Sequence, residues 1–130
     1  MNDHHSTPSD AELEILQVLW DCEPASVRTV HERLSIDKEV GYTTTLKQMQ
    51  RMLEKGLLKR TEDGKTHLYT AIIKAPEMRQ SLSSRLLNGV FNGSAHELLM
   101  HALGQSKPKP EEIEALEKLI TEKKNQQEDE

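Results

Sequence analysis

Apolar side chains in the first half of the chain recur every three or four residues, which is the spacing of helices that pack on one side. Three helices are predicted, over about residues 10–21, 27–34 and 42–55. The first opens on the capping box S-D-A-E, in which the side chains of Ser9 and Glu12 each accept from the other's backbone amide. Ser26 is the predicted cap of the second helix, and Gly56 ends the third.

A hairpin is predicted directly after the third helix. Two short runs, residues 57–62 and 65–70, flank Asp63-Gly64, a dipeptide that favours a two-residue type I′ turn. In that register Leu58 lies opposite Tyr69. The hairpin is apolar at its base and polar at its tip, as expected of a wing that projects from a small domain. Three helices followed by two strands predict a winged helix-turn-helix.

Apolar stripes continue beyond the hairpin with helical spacing. A helix that leaves a domain of about 70 residues has little to pack against within one chain, so a dimer interface is predicted. The predicted interface residues are Met78, Leu82, Leu86, Val90, Phe91, Leu98, Leu99, Leu103, Leu116 and Ile120. The alternative is that the stripe from Met78 to Phe91 forms an intramolecular core.

The pattern as a whole predicts a mainly α protein with a small β-hairpin wing, in which a winged helix-turn-helix precedes a C-terminal helical dimerisation region. The predicted divisions are a disordered arm at 1–8, the winged-helix domain at 9–73, the helical dimerisation region at 74–124, and a disordered acidic tail at 125–130.

Side-chain spacing in the third helix separates an apolar face from a cationic one. At about 100° per residue, the predicted core face holds Tyr42, Leu46, Met49 and Leu53. The predicted outer face lacks carboxylates, and Lys47, Arg51 and Lys55 form a same-sign series upon it. A solvated helix face ordinarily mixes both signs, because pairs four residues apart stabilise it. Cations, hydroxyls and amides are the groups that bind phosphates and base edges, so this face is predicted to bind DNA.

The predicted DNA-binding residues lie on three elements. They are Thr43, Thr44, Lys47, Gln48, Arg51 and Lys55 on the third helix, Lys65 and Thr66 on the wing, and Arg28 on the second helix. The net charge of −5 does not exclude this function, because the charge is unevenly distributed. Residues 41–110 hold eleven Lys and Arg against five Asp and Glu, and a local basic surface is what phosphate binding requires.

Several segments resemble the penicillinase-repressor family (BlaI/MecI/CopY). They are DAELEILQVLW at 10–20, SVRTV at 26–30, GYTTTLKQMQRMLEKGLL at 41–58, FNGS at 91–94 and PEEIEAL at 110–116. The resemblance implies a homodimer that binds a palindromic double-stranded DNA operator and represses transcription. It also implies, as in several members, a membrane-bound zinc-peptidase sensor that triggers cleavage within the dimerisation helices.

The sequence departs from the family's pattern in two places. Where cleaved members carry an Asn-Phe bond, alignment from Asn92-Gly93-Ser94 places His101-Ala102 here, which is the candidate cleavage region. The copper-responsive branch carries a C-terminal cysteine cluster, whereas this chain has only Cys22. Metal sensing by that route is therefore not expected.

Other chemistry finds little support in the sequence. There is no Gly-rich phosphate loop, no G-x-S-x-G elbow and no H-E-x-x-H motif, so no enzyme and no cofactor are predicted. His96 and His101 lie about 140° apart around a helix and do not predict a metal site. No run of 18 apolar residues and no leader pattern occur, so a cytoplasmic protein is expected. Two alternatives stay open: a protein-interaction module that docks an acidic partner, and a metal-dependent sensor.

Overall fold

The computed structural model describes residues 7–129, so the predicted arm at 1–8 lies mostly outside the described residues. Six helices and two strands follow in the order α1 (Asp10–Cys22), α2 (Val27–Leu34), α3 (Tyr42–Glu54), β1 (Leu58–Asp63), β2 (Thr66–Ala71), α4 (Ala75–Gly89), α5 (Ala95–Gln105) and α6 (Pro110–Glu128). The chain divides into two compact units, up to Ser83 and from Ser84 onward.

Local signals begin and end the first three helices where the sequence predicts. The Ser9 hydroxyl accepts from the Glu12 amide at 3.1 Å, and the Glu12 carboxylate accepts from the Ser9 amide at 2.9 Å, which confirms the capping box. The Ser26 hydroxyl caps α2 by accepting from the Thr29 amide. Gly56 follows α3 with a φ of 83°, a conformation that glycine adopts without a steric penalty.

The core of the first unit is formed by the apolar faces of α1, α2 and α3, the base of the hairpin, and the start of α4. Its buried hydrophobic residues are Ile15, Leu16, Leu19, Ala25, Val27, Val30, Met49, Met52, Leu58, Tyr69, Ala71 and Met78. Burial of this apolar surface is the main favourable contribution to folding of a small domain. The core therefore fixes α3 from one side only and leaves its other side exposed.

The hairpin has a different register from the predicted one. Leu58 pairs with Ala71, not with Tyr69, and the two turn residues are Gly64 and Lys65. Gly64 has a φ of 65° at the first turn position, whereas no positive φ occurs at Lys65; this suits a type II′ turn, while type I′ needs two positive values. The shift of two residues preserves the alternation of faces, so Leu58, Tyr69 and Ala71 still face the core.

Polar contacts fasten the hairpin and the following loop to the end of α1. Backbone hydrogen bonds join Ala25 and Tyr69 in both directions, at 3.0 and 2.8 Å. The indole N–H of Trp20 donates to the Ile73 carbonyl at 3.0 Å. The Glu23 carboxylate accepts from the Ala71 amide at 2.7 Å and from the Lys74 ammonium at 2.9 Å. The base of the wing is therefore fixed to the helical part of the unit.

The boundary between the two units lies within α4 and not before it. Met78 is only 5% exposed, so the prediction that it belongs to a dimer interface is wrong. Leu82 is half-buried against the core of the first unit, and its place in an interface stays a prediction. The physical reason is that the start of α4 packs its apolar side chains against the core of the first unit. The intramolecular alternative holds for this part of the stripe.

The second unit contains the end of α4, α5 and α6, and none of its residues up to 129 is buried. Asn92 and Gly93, with φ of 53° and 81°, form the break between α4 and α5 where the sequence predicts one. The helix α6 extends to Glu128, so the predicted disordered tail is helical over 125–128. Gln, Glu and Lys are good helix formers, so the helix continues without an apolar face to bury.

Candidate nucleic-acid interface

The exposed face of α3 is turned from its predicted position. Thr45, Met49 and Met52 are the buried residues of the helix, whereas Tyr42 is 45% exposed. At about 100° per residue, these buried residues place the solvent-facing side of α3 roughly 60° around the helix axis from the predicted arc. The apolar periodicity failed at Tyr42 because this residue is the first of α3 and lies beyond the edge of the core.

This rotation changes which residues lie on the outer face of α3. Thr43, Thr44, Lys47 and Arg51 remain exposed, as predicted. Gln48 is half-buried at the margin, and its side-chain oxygen accepts from the Arg51 guanidinium at 3.5 Å. Two further exposed residues join the face, Gln50 in its middle and Glu54 in its last turn. They lie there because Met52, and not Leu53, is buried in the core, which the spacing of apolar residues along α3 does not reveal. The prediction that this face lacks carboxylates is therefore wrong, because the observed rotation brings Glu54 from the flank onto the face.

The cations near the start and middle of α3 are not neutralised by the protein. No ion pair among residues 7–129 includes Lys47 or Arg51. Like charges four residues apart repel each other mildly on a helix. The face is therefore suited to an anion supplied from outside the domain.

Lys55 lies one residue beyond α3 and has an intramolecular partner that the sequence did not predict. Its ammonium is 2.7 Å from the carboxylate of Glu12, a residue that is only 3% exposed. Burial raises the pKa of the Glu12 carboxyl, but hydrogen bonds from Lys55 and Ser9 outweigh it, and the pKa is lowered overall. Lys55 thus fastens the end of α3 to the start of α1, which corrects the picture of a lysine free to bind phosphate.

The wing contributes more cations than predicted. Lys65 lies in the turn and Thr66 begins β2, and both are exposed, as the prediction requires. Lys59 and Arg60 on β1 are exposed as well, and neither was among the predicted DNA-binding residues, although the run L-K-R-T-E-D shows both cations in the sequence. His67 lies opposite Glu62, with 3.9 Å between the imidazole and carboxylate.

The connection between α2 and α3 is held by contacts on both sides. The Nε2–H of His31 donates to the Val40 carbonyl at 2.8 Å, and the His31 ring meets the Tyr42 ring edge-on. Lys38 pairs with Glu14 at 2.6 Å, and Arg33 pairs with Asp21, which joins α2 and the loop to α1. Arg28 is exposed on α2 and forms no ion pair within residues 7–129. These contacts fix the angle at which α3 leaves the loop.

Two other kinds of feature, a metal site and a membrane-spanning helix, are absent from residues 7–129. Within residues 7–129, no three His, Cys, Asp or Glu side chains lie close enough together to hold a metal ion. No helix in the same range has the length and apolar character needed to cross a membrane.

A helix-turn-helix with an exposed third helix and a hairpin wing defines a winged-helix DNA-binding protein. The family model described as penicillinase repressor matches residues 8–122. The chain belongs to this family, whose members are DNA-binding transcriptional repressors and not enzymes.

Relatives and a solved structure agree with this assignment. The penicillinase repressor of Bacillus licheniformis is 28% identical over 117 residues, which cover 90% of this chain and 91% of that protein. The transcriptional regulator BlaI of Mycobacterium tuberculosis is 32% identical over 94 residues, covering 71% and 68% of the two chains. The solution structure of the DNA-binding domain of the repressor BlaI has a TM-score of 0.51 and 27% identity, and covers 59% of this chain and 93% of that one. The predicted winged helix-turn-helix is thereby confirmed.

Proposed function

We propose that the chain represses transcription as a homodimer on a two-fold symmetric operator, with α3 of each copy in a major groove. The observation that carries the proposal is the exposed face of α3, whose Lys47 and Arg51 have no acidic partner among residues 7–129. In helix-turn-helix proteins the early turns of the second helix of the motif contact base edges.

Each element has its own role in this arrangement. Thr43, Thr44 and Lys47 lie in the first turns and contact bases, while Arg51 reaches bases or phosphate. Gln50 joins them because it lies on the same exposed face. The wing contacts the DNA backbone or the minor groove through Lys59, Arg60, Lys65 and Thr66, and Arg28 on α2 contacts phosphate. Gln48 and Lys55 contribute at the margin, since one is half-buried and the other already binds Glu12.

Dimerisation through the second unit is supported by its exposed apolar side chains. Leu86, Val90, Leu99, Leu103 and Ile120 are all exposed, and Phe91, Leu98 and Leu116 are half-buried. Three helices with so much apolar surface in water are stabilised when a second copy covers them. Two joined winged domains gain a large effective concentration for the second half-site.

Derepression follows when a membrane-bound zinc-peptidase sensor triggers cleavage in the second unit. The candidate bond, His101-Ala102, lies inside α5, and both residues are exposed. Within one copy, α5 buries no side chain, so the packing lost when a peptidase opens it is the packing against the partner copy. Cleavage there separates α6 from α4 and removes the joint binding of two half-sites.

The test begins with the duplexes that the full-length protein selects from a random pool, and with footprinting on the DNA upstream of its own gene. Lys47→Ala and Arg51→Ala are each expected to weaken the selected complex by about 1–3 kcal/mol where the side chain contacts a base. Binding should also weaken steeply as salt rises, because phosphate neutralisation releases counterions. Lys118→Ala removes an equal charge from the exposed side of α6 and serves as the matched control.

Three results would contradict the proposal. They are a selection that recovers no common sequence, a loss of affinity in Lys118→Ala as large as that in Lys47→Ala, and an affinity that stays constant from low to high salt. Capture of an acidic protein in place of DNA would instead favour the interaction-module alternative.

A further inference from the structure

Tyr42 is an exposed aromatic residue at the start of α3, the proposed recognition helix. The apolar periodicity assigns it to the core, but it is the first residue of α3 and is 45% exposed. Its hydroxyl makes no hydrogen bond with any residue from 7 to 129. A tyrosine that neither fills the core nor bonds to the protein presents its polar end to solvent or to a ligand.

The orientation of the Tyr42 ring is fixed by its neighbours. The His31 imidazole meets it edge-on, with 5.7 Å between ring centroids and an interplanar angle of 80°. The imidazole itself is held because its Nε2–H donates to the Val40 carbonyl at 2.8 Å. Aromatic pairs prefer such T-shaped arrangements. A ring that is already ordered loses less conformational entropy when its hydroxyl binds a partner.

We propose that the Tyr42 hydroxyl donates a hydrogen bond to a backbone phosphate of duplex DNA, and that His31 is the positioning residue for this contact. The proposal rests on the placement of α3 in the major groove made above. Tyr42 lies on the side of α3 that faces α2, and in helix-turn-helix complexes the helix before the recognition helix crosses the DNA backbone. Tyrosine hydroxyls are among the groups that bind phosphate oxygens in such complexes.

The Tyr42 hydroxyl is uncharged, so the salt dependence of binding distinguishes its contact from that of a lysine or an arginine. Tyr42→Phe removes only the hydroxyl and is expected to weaken binding by about 2- to 10-fold. The loss should be the same on the selected operator and on a scrambled duplex of equal length, since phosphate carries no sequence information. The slope of log affinity against log salt should not change, because a hydroxyl displaces no counterion, whereas Lys47→Ala lowers the slope by about one if it contacts phosphate.

The positioning role of His31 is tested by a double-mutant cycle. His31→Ala is expected to weaken binding in the wild-type chain and to have little further effect in the Tyr42→Phe chain. A large effect of His31→Ala in both backgrounds would overturn the positioning role, since it would show that His31 acts through the Val40 loop alone. Tyr69→Phe removes the same hydroxyl from a buried tyrosine and is the control, with thermal unfolding of every variant measured alongside.

Each remaining result decides against one part of the proposal. Unchanged affinity of Tyr42→Phe, with a clear loss for Lys47→Ala, would refute the Tyr42 contact and leave the placement of α3 standing. A loss confined to the selected operator would identify a base contact and refute the phosphate assignment. If Arg51→Ala and Lys47→Ala also bind like the wild type, α3 does not enter the groove, and the Tyr42 assignment is refuted with it.

Discussion

The two units of the chain are both largely helical, yet different forces hold them together. The first contains twelve buried hydrophobic residues and a carboxylate, Glu12, that is buried with them. The second, from 84 to 129, buries no side chain, and residues such as Val90 and Met100 are 70% and 53% exposed. The first unit, called the winged unit below, therefore has the core of an independently folding domain, whereas the second unit exposes apolar side chains that the proposed dimer would cover.

The proposed functions of the two units differ as well. The winged unit holds α3 at a fixed angle through α1, the α2–α3 loop and the Glu12–Lys55 pair, so its recognition surface is preformed. In the proposed homodimer, the second unit depends on a partner copy for its stability, so concentration or cleavage would control its association.

The largest expected effect is the loss of dimers when a charge enters the apolar surface of the second unit. Leu86→Asp places an unpaired carboxylate in the proposed interface of both copies, and burying such a group is strongly destabilising. We expect the dimer dissociation constant to rise about a thousandfold, or roughly 4 kcal/mol, as measured by sedimentation equilibrium. Operator affinity should fall with it.

Asn88→Asp is the control for this substitution, because it introduces the same charge at an exposed polar position of α4. It should leave the association unchanged. If Leu86→Asp sediments as the wild type does, the second unit associates through another surface or does not associate. Its exposed apolar side chains would then not form the proposed interface.

The next effect tests where the boundary between the units lies. Met78→Ala should lower the unfolding free energy of the winged unit by about 2–4 kcal/mol, because Met78 is buried in its core. Trp20 is the only tryptophan and packs against this core, so its fluorescence during urea unfolding reports on the winged unit. Met100→Ala is the control and should change that transition by less than about 0.5 kcal/mol. Equal effects of the two substitutions would mean that the units do not differ in packing.

A smaller effect comes from the buried carboxylate of the winged unit. The pKa of Glu12 is lowered in the folded chain, so the unfolded chain binds more protons and stability rises with pH across this window. The stabilisation is complete above the ordinary carboxyl value of 4.5 and is lost as the pH falls through the lowered value. Glu12→Gln should therefore cost about 1–2 kcal/mol at pH 7 and less below about pH 4.

Urea unfolding at a series of pH values measures this difference. Glu14→Gln is the control, since it changes an exposed carboxylate on the same helix and should cost under about 0.5 kcal/mol. A difference between wild type and Glu12→Gln that stays constant down to pH 3 would show that the charge of Glu12 is not the stabilising feature.

Features set by neighbouring residues could be predicted from the sequence, and features set by distant packing could not. The Ser9 capping box and the Gly56 terminus are local and lie where they were predicted. The turn at Gly64-Lys65 was misassigned because Asp-Gly and Gly-Lys both suit two-residue turns, and the core decides between them. The exposure of Tyr42 depends on where the core ends, which periodicity along one helix does not reveal.

The smallest expected effect concerns the end of α6, where the polar composition predicted no helix. The last turns of α6 bury nothing, so they depend on intrinsic helix propensity, whereas α1 to α3 depend on packing. Gln126→Gly should reduce helicity over 125–128 but cost less than about 1 kcal/mol, because a helix end frays already. Amide hydrogen exchange of that segment measures the change, and Trp20 fluorescence should show the winged unit unaltered. A different result would be slow exchange at the end of α6 in the wild type, with both the slow exchange and dimerisation lost in Gln126→Gly. It would show that a partner copy covers this end and that the interface extends along α6 beyond its apolar residues.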